Sequence, residues 1–268
     1  MKDGVFRLVE NRGLTEKVHL LALEGDCSAI REPGQFVSVE IPGKFLRRPF
    51  SVCDWDRDRL TLLIERVGSG TELLHEMPVG TELNILTGLG RGFRGMGNGQ
   101  WVMGNDNTES GNGDLRNCPC DLRDYNDAAE SMGGYGSRPL LVGGGSGLSP
   151  LVGLYRRLAE AGVNPPVLLG FREERDRFGA EFFPGAELRF AEDVFPAMEE
   201  IPHDAVYACG SQTMMLELCR RAAGPAQVAF DVRMGCGFGA CMGCSLKTPS
   251  GMKRVCRDGP VFRKEELI

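Results

Sequence analysis

Short apolar runs alternate with turn residues between residue 5 and about residue 97. The runs VHLLAL, QFVSVEI, FSVCDW, LTLLIERV and ELNILTGL are separated by Pro, Gly and Asp at intervals typical of strands. Helical periodicity in this part is limited to one short segment, TELLHEM. The pattern predicts a small antiparallel β-barrel over residues 1–99.

The pattern changes to strand, glycine turn and helix from residue 138 onward. RPLLVGGGSG leads into LSPLVGLYRRLAEAG, and PVLLGFREE, AELRFAED, AVYACGSQTMMLELCRRA and AQVAFDV follow. Strands that alternate with helices predict a parallel sheet with crossover helices, here a nucleotide-binding α/β domain over 138–231. The last segment, 232–268, is rich in cysteine and has little periodicity, so we expect a small tail held by something other than a core.

Residues 100–137 lie between the two predicted domains and differ from both. Gly, Asn, Asp and Ser dominate this segment, and aliphatic residues are nearly absent. Such a segment buries too little apolar surface to offset the entropy of ordering it, which predicts a mobile insertion. We expect its cysteines, Cys118 and Cys120, to be exposed spare thiols rather than metal ligands.

Composition narrows the classes of function. The net charge of -6 argues against nucleic acid as a partner, because no basic patch is available to neutralise phosphates. The N-terminus lacks the apolar segment of a signal peptide, and the longest apolar runs are too short to cross a bilayer. We therefore expect a cytoplasmic protein without a membrane partner. In that reducing compartment, a dense group among the 10 cysteines indicates metal ligation or catalysis.

Four cysteines lie close together near the end of the chain. Cys236, Cys241, Cys244 and Cys256 have the spacing C-x4-C-x2-C-x11-C, and the first three match the plant-type ferredoxin loop that holds a [2Fe–2S] cluster. The small residues between them leave room for backbone N–H groups to turn toward the sulfurs. Zinc sites more often pair their ligands in two short units, so zinc and unligated thiols are the less favoured interpretations.

A flavin site on the barrel is indicated by the segment LRRPFSV. The planar fork of Arg48 suits a pyrophosphate, the Ser51 hydroxyl suits the edge of an isoalloxazine ring, and Phe50 can pack against that ring. Downstream, ERVGSGT supplies a glycine turn before a short helix whose first amides can receive a phosphate. Taken alone, a surface Arg and a buried Phe explain the first motif equally well.

Two further elements favour a dinucleotide. LLVGGGSGLSP follows a strand and opens a helix, although Pro150 stands in place of the third glycine of G-x-G-x-x-G. Glu173 and Glu174 lie somewhat beyond the usual distance for the acidic residue that contacts the ribose. In YACGSQTMM, Cys209 and Gly210 end a strand before a helix, where parallel sheets place ligands. A small buried thiol is the simpler interpretation of Cys209.

The RPFS barrel, the GGGxGxxP turn, the CGxxxMM strand end and the four-cysteine tail occur in one fixed order. That order, and above all DVRMGCGFGACMGCSLKT followed by KRVCRDGPVF, closely resembles the electron transfer subunits of type B dihydroorotate dehydrogenases, in the ferredoxin reductase superfamily. The resemblance covers nearly the whole chain apart from the insertion. Ser146 in place of an aliphatic residue and Ser211 in place of a common Pro are mild departures from it.

The resemblance implies an oxidoreductase subunit with one FAD and one [2Fe–2S] cluster, NAD as substrate, and an FMN-containing catalytic subunit as partner, two of each in a heterotetramer. Electrons would pass from the FMN through the cluster and FAD to NAD+ in de novo pyrimidine (UMP) biosynthesis, with no catalytic acid, base or dihydroorotate site in this chain. The implied FAD residues are Arg48, Pro49, Phe50, Ser51, Glu65, Arg66, Val67, Gly70 and Thr71. The implied NAD residues are Gly143, Gly144, Gly145, Gly147, Pro150, Cys209 and Gly210, and the implied iron ligands are Cys236, Cys241, Cys244 and Cys256.

Two alternatives stay open at this point. One is another NAD(P)H-linked flavin and iron–sulfur reductase subunit, of the ferredoxin–NADP reductase or sulfide dehydrogenase type. Arg172, Arg175 and Arg177 are suited to a 2′-phosphate, whereas Cys236 stands where that group often has Asp. The other is a zinc-stabilised, non-enzymatic nucleotide-binding protein.

Overall fold

The structure, a computed structural model, describes residues 1–95 and 138–268. The insertion expected at 100–137, with Cys118 and Cys120, lies outside these residues. Within the described parts of the chain, no helix is long and apolar enough to span a membrane.

The N-terminal part is the antiparallel barrel that the apolar pattern predicts. Its elements are β1 (Lys2–Gly13), β2 (Val18–Glu24), β3 (Phe36–Val39), β4 (Arg48–Trp55), β5 (Arg59–Glu65), α1 (Ser69–His75) and β6 (Glu82–Leu89). The strands close in the order β1-β2-β5-β4-β3-β6. The long strand β1 was not among the predicted runs; it alternates weakly and buries only Phe6 and Leu8 fully.

The second part is the predicted parallel sheet. Its elements are β7 (Pro139–Gly144), α2 (Ser149–Glu160), β8 (Val167–Gly170), β9 (Leu188–Ala191), α3 (Val194–Glu200), β10 (Ala205–Ser211), α4 (Gln212–Arg221) and β11 (Ala226–Asp231). The parallel strands lie in the order β11-β10-β7-β8-β9. The chain moves outward from β7 to β9 and then returns to the other side of β7 with β10. The order therefore reverses between β7 and β10, and the carboxyl ends of these strands form the crevice where such sheets bind ligands.

The cysteine-rich tail shares the core of this sheet. It contains β12 (Ser245–Thr248), β13 (Gly251–Arg254), α5 (Val255–Asp258) and β14 (Val261–Arg263). β14 pairs antiparallel with β11 at the edge of the sheet. Phe262, Val255 and Leu246 are buried in the same apolar cluster as the sheet residues. The expectation that the tail lacks a core is therefore wrong. The apolar runs of the tail are too short to show periodicity, yet each run buries one of its sides.

The barrel and the sheet domain pack through α2 and β4. A Cβ at Gly153 would lie 3.1 Å from the Trp55 ring, so glycine allows the helix to approach the strand closely. Arg156 forms an ion pair with Asp54 at 3.0 Å and donates a hydrogen bond to the Trp55 carbonyl at 2.6 Å. Buried Cys53 of the barrel belongs to the same apolar cluster as residues of α2. The two domains are thus joined by a common core beside the crevice.

Candidate functional site

A cleft of about 200 Å³ opens between the barrel and the carboxyl edge of the sheet. It brings together residues from both predicted sets. The barrel contributes Pro49, Phe50, Ser51, Glu65, Val67 and Thr71, and the sheet domain contributes Gly147 and Cys209. Small-molecule pockets usually measure about 300–1,000 Å³. The cleft is smaller than this range, so it has room for one ring system rather than for a whole dinucleotide.

The barrel wall of the cleft is an open part of the strand ladder. β4 pairs with β3 from Arg48 through Ser51, but β5 pairs with β4 only from Val52 onward. On the β5 side the backbone of residues 49–51 has no strand partner, although the Ser51 carbonyl accepts a hydrogen bond from the Ser149 hydroxyl at 3.5 Å, and Pro49 costs no ladder bond there. The RPFS motif thus lies where a planar ring can take the place of a neighbouring strand.

Thr71 shapes the turn between β5 and α1. Its hydroxyl accepts hydrogen bonds from the Val67 N–H at 2.9 Å and the Gly68 N–H at 3.2 Å, and donates one to the Gly68 carbonyl at 2.9 Å. A Cβ at Gly70 would lie 3.5 Å from Arg48 Nε, so the small residue lets the guanidinium approach the helix start. Arg48, Gly70 and Thr71 therefore meet beside the cleft, although they are distant in sequence.

A stacked histidine pair holds α1 against the barrel. The rings of His19 and His75 lie 3.9 Å apart at 15°. His75 Nε2 lies 2.8 Å from the Ile64 carbonyl, and the Asn11 amide donates to three carbonyls at the end of α1. Burial lowers the pKa of both rings, and the positive charge of Arg66 lowers it further, so both are neutral at pH 7. The histidine pair therefore has a structural function: it supports the turn that carries Thr71.

On the sheet side, the glycine turn after β7 touches the end of β10. A Cβ at Gly147 would overlap the Cys209 carbonyl oxygen and lie 2.8 Å from its carbon. Gly144 and Gly210 also face each other closely, and Pro150 occupies the first turn of α2. Cys209 is almost completely buried, and burial raises the pKa of its thiol, which is therefore neutral at pH 7. The reversal of strand order brings these two predicted elements together.

Several residues outside the predicted sets also line the cleft. They are Phe36, Leu63, Ser146, Ser149, Phe230, Asp231, Val232, Met234 and Pro260. Burial, and then repulsion by Glu65, raises the pKa of the Asp231 carboxyl group. Asp231 and Met234 belong to the segment DVRM, which directly precedes the cysteine motif. This position was the signal in the sequence that could have identified them. Nothing in that motif showed which of its side chains face the barrel.

The cysteine loop directs backbone amides at its sulfurs. The N–H groups of Ala240 and Cys241 point to Cys236 Sγ at 3.2 and 3.4 Å, that of Gly243 to Cys241 Sγ at 3.4 Å, and that of Cys256 to Cys244 Sγ at 3.4 Å. A Cβ at Gly235 would lie 3.2 Å from Cys241 Sγ, so glycine keeps this approach open. These amides point at three of the four sulfurs, those of Cys236, Cys241 and Cys244, an arrangement that fits the negative charge of an iron–sulfur cluster.

The four thiols differ in their surroundings. Cys241 is exposed and Cys236 is half-buried, whereas Cys244 and Cys256 are buried. Burial opposes ionisation of Cys236, but hydrogen bonds from backbone N–H groups outweigh it and lower its pKa to about 6. Burial and the neighbouring Cys244 thiol raise the pKa of Cys256 to about 12. Among the described residues, no three His, Cys, Asp or Glu side chains form a ready-made site for one metal ion. The structural fit to a cluster therefore rests on the donor set and its amides.

The cysteine loop and the cleft share a wall. Met234 lines the cleft two residues before Cys236. A Cβ at Gly237 would lie 3.8 Å from the ring of Phe36, which also lines the cleft. A redox group held by the loop would therefore lie close to one held in the cleft.

Comparison with known proteins shows which families this chain is similar to. Residues 231–268 match the iron–sulfur cluster binding domain of dihydroorotate dehydrogenase B. Among solved structures, a chain from an NADH-dependent reduced ferredoxin–NADP oxidoreductase that performs flavin-based electron bifurcation has a TM-score of 0.74 and 24% identity, with 98% of this chain and 89% of that one covered. A ferredoxin reductase of carbazole 1,9a-dioxygenase has a TM-score of 0.54 and 20% identity, covering 80% and 60%. These two likenesses confirm the fold.

Two curated relatives extend over nearly the whole chain. The dihydroorotate dehydrogenase B (NAD+) electron transfer subunit of Geobacillus thermodenitrificans (strain NG80-2) is 33% identical, with 97% of this chain and 96% of that protein covered. The corresponding subunit of Bacillus mycoides (strain KBAB4) is 32% identical with the same coverage. Because this identity spans the barrel, the sheet domain and the tail alike, the chain belongs to the family of dihydroorotate dehydrogenase B (NAD+) electron transfer subunits.

Proposed function

We propose that this chain transfers electrons between a catalytic partner subunit and NAD+ through a [2Fe–2S] cluster and FAD. The observation that carries the proposal is that the cysteine loop and the cleft share a wall. Residues of the barrel motif and of the glycine turn line the same cleft. When bound, FAD would supply both hydride exchange with NAD and single-electron exchange with a cluster. Neither NAD nor the cluster can carry out both kinds of transfer.

The chain's own residues bind and position these groups. Arg48, beside the start of α1, holds the flavin pyrophosphate, and the open backbone of residues 49–51 receives the ring. The turn at 143–147 and the end of β10 hold the nicotinamide nucleotide against the opposite wall. Cys236, Cys241, Cys244 and Cys256 ligate the irons, and the loop amides stabilise the cluster's charge. Cys209 stays neutral and shapes the wall.

The partner in this proposal is the FMN-containing catalytic subunit of dihydroorotate dehydrogenase. That subunit would supply the electrons from dihydroorotate, and this chain would hold the groups that pass them to NAD+. The resemblance and the names of the relatives support this assignment, and the proposal extends to a heterotetramer with two of each subunit. A cytoplasmic location belongs to the same proposal, since free thiols and NAD are maintained there.

Analysis of anaerobically purified protein tests the proposed cofactors. We expect about two irons and two sulfides per FAD, from the cluster type. NADH should reduce the flavin, and adding the catalytic subunit should make NAD+ reduction depend on dihydroorotate. Zinc without labile sulfide, or a preparation without flavin, would instead favour the non-enzymatic alternative.

The exposed apolar residues of the cysteine loop are the proposed contact with the partner. Phe238 and Met242 are each 52% exposed and flank the exposed Cys241. Electrons have to cross the interface near the cluster, so a charge placed here should be buried without a counterion on assembly. We expect Phe238→Asp to weaken binding to the catalytic subunit by about tenfold or more, measured by calorimetry, with iron content unchanged.

Val79→Asp is the matched control for the interface. Val79 is 60% exposed, but it precedes β6, whereas the cysteine loop packs near Leu89 at the other end of that strand. The control should assemble normally. Equal affinity of the Phe238 variant and wild type would place the interface elsewhere.

A further inference from the structure

The cysteine-rich tail differs in charge from the rest of the chain. Residues 232–268 contain seven lysines and arginines but three aspartates and glutamates, a net charge of +4, whereas the whole chain carries -6. Positive charge is therefore concentrated around the four cysteines, and the chain before them is acidic. Such an asymmetry produces an electric field that orients the chain toward a charged partner.

The cysteine loop and the neighbouring β-hairpin form one continuous surface. In the hairpin, Lys247 of β12 lies opposite Met252 of β13, so both side chains project from the same face. Ser245 lies on this face too, and its hydroxyl donates to the Met242 carbonyl of the cysteine loop at 2.7 Å. The outer face of the hairpin therefore continues into the loop.

Arg257 also borders this surface. A Cβ at Gly239 would lie 2.9 Å from Arg257 Cδ, so the arginine side chain lies directly on the cysteine loop. We call the exposed residues of this surface the tail face: Phe238, Met242, Lys247, Met252 and Arg257. Its three apolar side chains are each more than half exposed.

The cations of the tail face are not neutralised by neighbouring carboxylates. Within residues 1–95 and 138–268, neither Lys247 nor Arg257 has a carboxylate at ion-pair distance, whereas Arg254 is paired with Asp258 at 3.6 Å. An apolar centre with charged residues at its rim is typical of protein interfaces. The tail face thus fits a partner whose surface is acidic.

We propose that the tail face docks on an acidic surface of the catalytic subunit, and that Lys247 and Arg257 steer the two chains together. This inference rests on the proposed function, because it takes the catalytic subunit as the partner. An acidic partner is attracted by the tail and repelled by the acidic remainder of the chain. The cysteine loop, rather than another face, is therefore brought into first contact.

The charge of the tail face argues against a second copy of this chain as the occupant. In a two-fold symmetric dimer the same patch lies on both subunits, so Lys247 and Arg257 would face like charges. A partner of opposite charge has no such penalty.

The double variant Lys247→Glu/Arg257→Glu tests the proposed steering. Stopped-flow mixing of the flavin- and iron-loaded chain with the catalytic subunit gives the association rate constant at low and at high salt. Wild-type association should slow as salt is raised, because screening weakens the attraction. At low salt the variant should associate about tenfold more slowly or worse, and its rate should rise with salt. Its dissociation rate should change less, since charges at a rim act mainly on association.

Two single variants make the test specific. Arg57→Glu is the matched control for Lys247→Glu, because it makes the same change in charge elsewhere. Arg57 is exposed in the turn after β4, whereas the cysteine loop packs near Phe36, which lies opposite Ser51 farther back along β4. Lys247→Glu should slow association, and Arg57→Glu should not. Iron content and the reduction potential of the cluster show whether a substitution acts on the metal site instead.

The outcomes separate this inference from the proposed function. Three results overturn the inference and leave the electron transfer function standing: association that is independent of salt, equal slowing by Lys247→Glu and Arg57→Glu, or a shifted reduction potential with unchanged association. Self-association of the wild-type chain that the double variant abolishes also overturns it, because the occupant is then a second copy. A wild-type chain that does not bind the catalytic subunit at any salt concentration overturns the proposed partner as well.

Discussion

Replacing Cys256 by serine is expected to remove the cluster while leaving the flavin in place. Cys256 is buried at the start of α5, and its own N–H points to Cys244 Sγ. A serine hydroxyl is of similar size but is a poor ligand for iron that prefers thiolate. Even changes outside the ligand shell cost about 10- to 100-fold in metal affinity. We therefore expect nearly complete loss of iron and sulfide.

The functional consequence should be selective. Dihydroorotate-dependent reduction of NAD+ by the assembled enzyme should fall by about 100-fold or more, following the loss of metal. NADH should still reduce the bound flavin, because the cleft keeps both of its walls. Cys219→Ala is the control: Cys219 is also buried, yet it lies on α4 outside the cysteine loop. Iron retained by the Cys256 variant, or lost equally in the control, would contradict the proposed ligand set.

Gly147→Ala is expected to impair dinucleotide binding with little effect on the other cofactors. The new methyl group would overlap the Cys209 carbonyl oxygen, and a backbone atom of a central strand cannot rotate away. Either the glycine turn or the end of β10 has to move, and both form the proposed nucleotide wall. Overpacking of this kind costs about 1–3 kcal/mol, which corresponds to a loss of about 5- to 150-fold in NAD+ affinity.

Calorimetry with NAD+ measures this loss, and flavin and iron content together with the melting temperature show that the chain is folded. Gly4→Ala is the control, because a Cβ there meets only the Phe6 ring at an ordinary 3.6 Å. The control should bind NAD+ as wild type does. Normal NAD+ affinity in the Gly147 variant would show that the glycine turn is not part of the nucleotide site.

Most of the architecture was predictable because it depends on local patterns. Alternation of apolar residues gave five of the six barrel strands, and the strand–glycine–helix order gave the parallel sheet. β1 was missed because few of its residues are fully buried, so its alternation is weak. The tail was expected to lack a core, yet Val255 and Phe262 are buried under the sheet. Strands of three or four residues are too short for a period to be detected.

The candidate site was predicted in part. Pro49 to Ser51, Glu65, Thr71, Gly147 and Cys209 do line one cleft. Asp231, Met234 and Phe230 line it too and were missed, since their side-chain directions depend on where β11 ends. Arg175 and Arg177 were considered for a 2′-phosphate without their carboxylate partners. Ion pairs between neighbouring residues depend on loop geometry, which spacing alone does not define.

The sequence by itself determined the chemistry that this chain can support and the order of its domains. Thiol spacing, glycine turns and strand alternation are properties of short segments, whose geometry follows from neighbouring residues. Only the tertiary structure decided which segments meet. The reversal of strand order at β7 and β10 and the packing of α2 on β4 bring three distant motifs to one cleft. Such contacts depend on the packing of whole elements and therefore leave no trace in any single stretch of sequence.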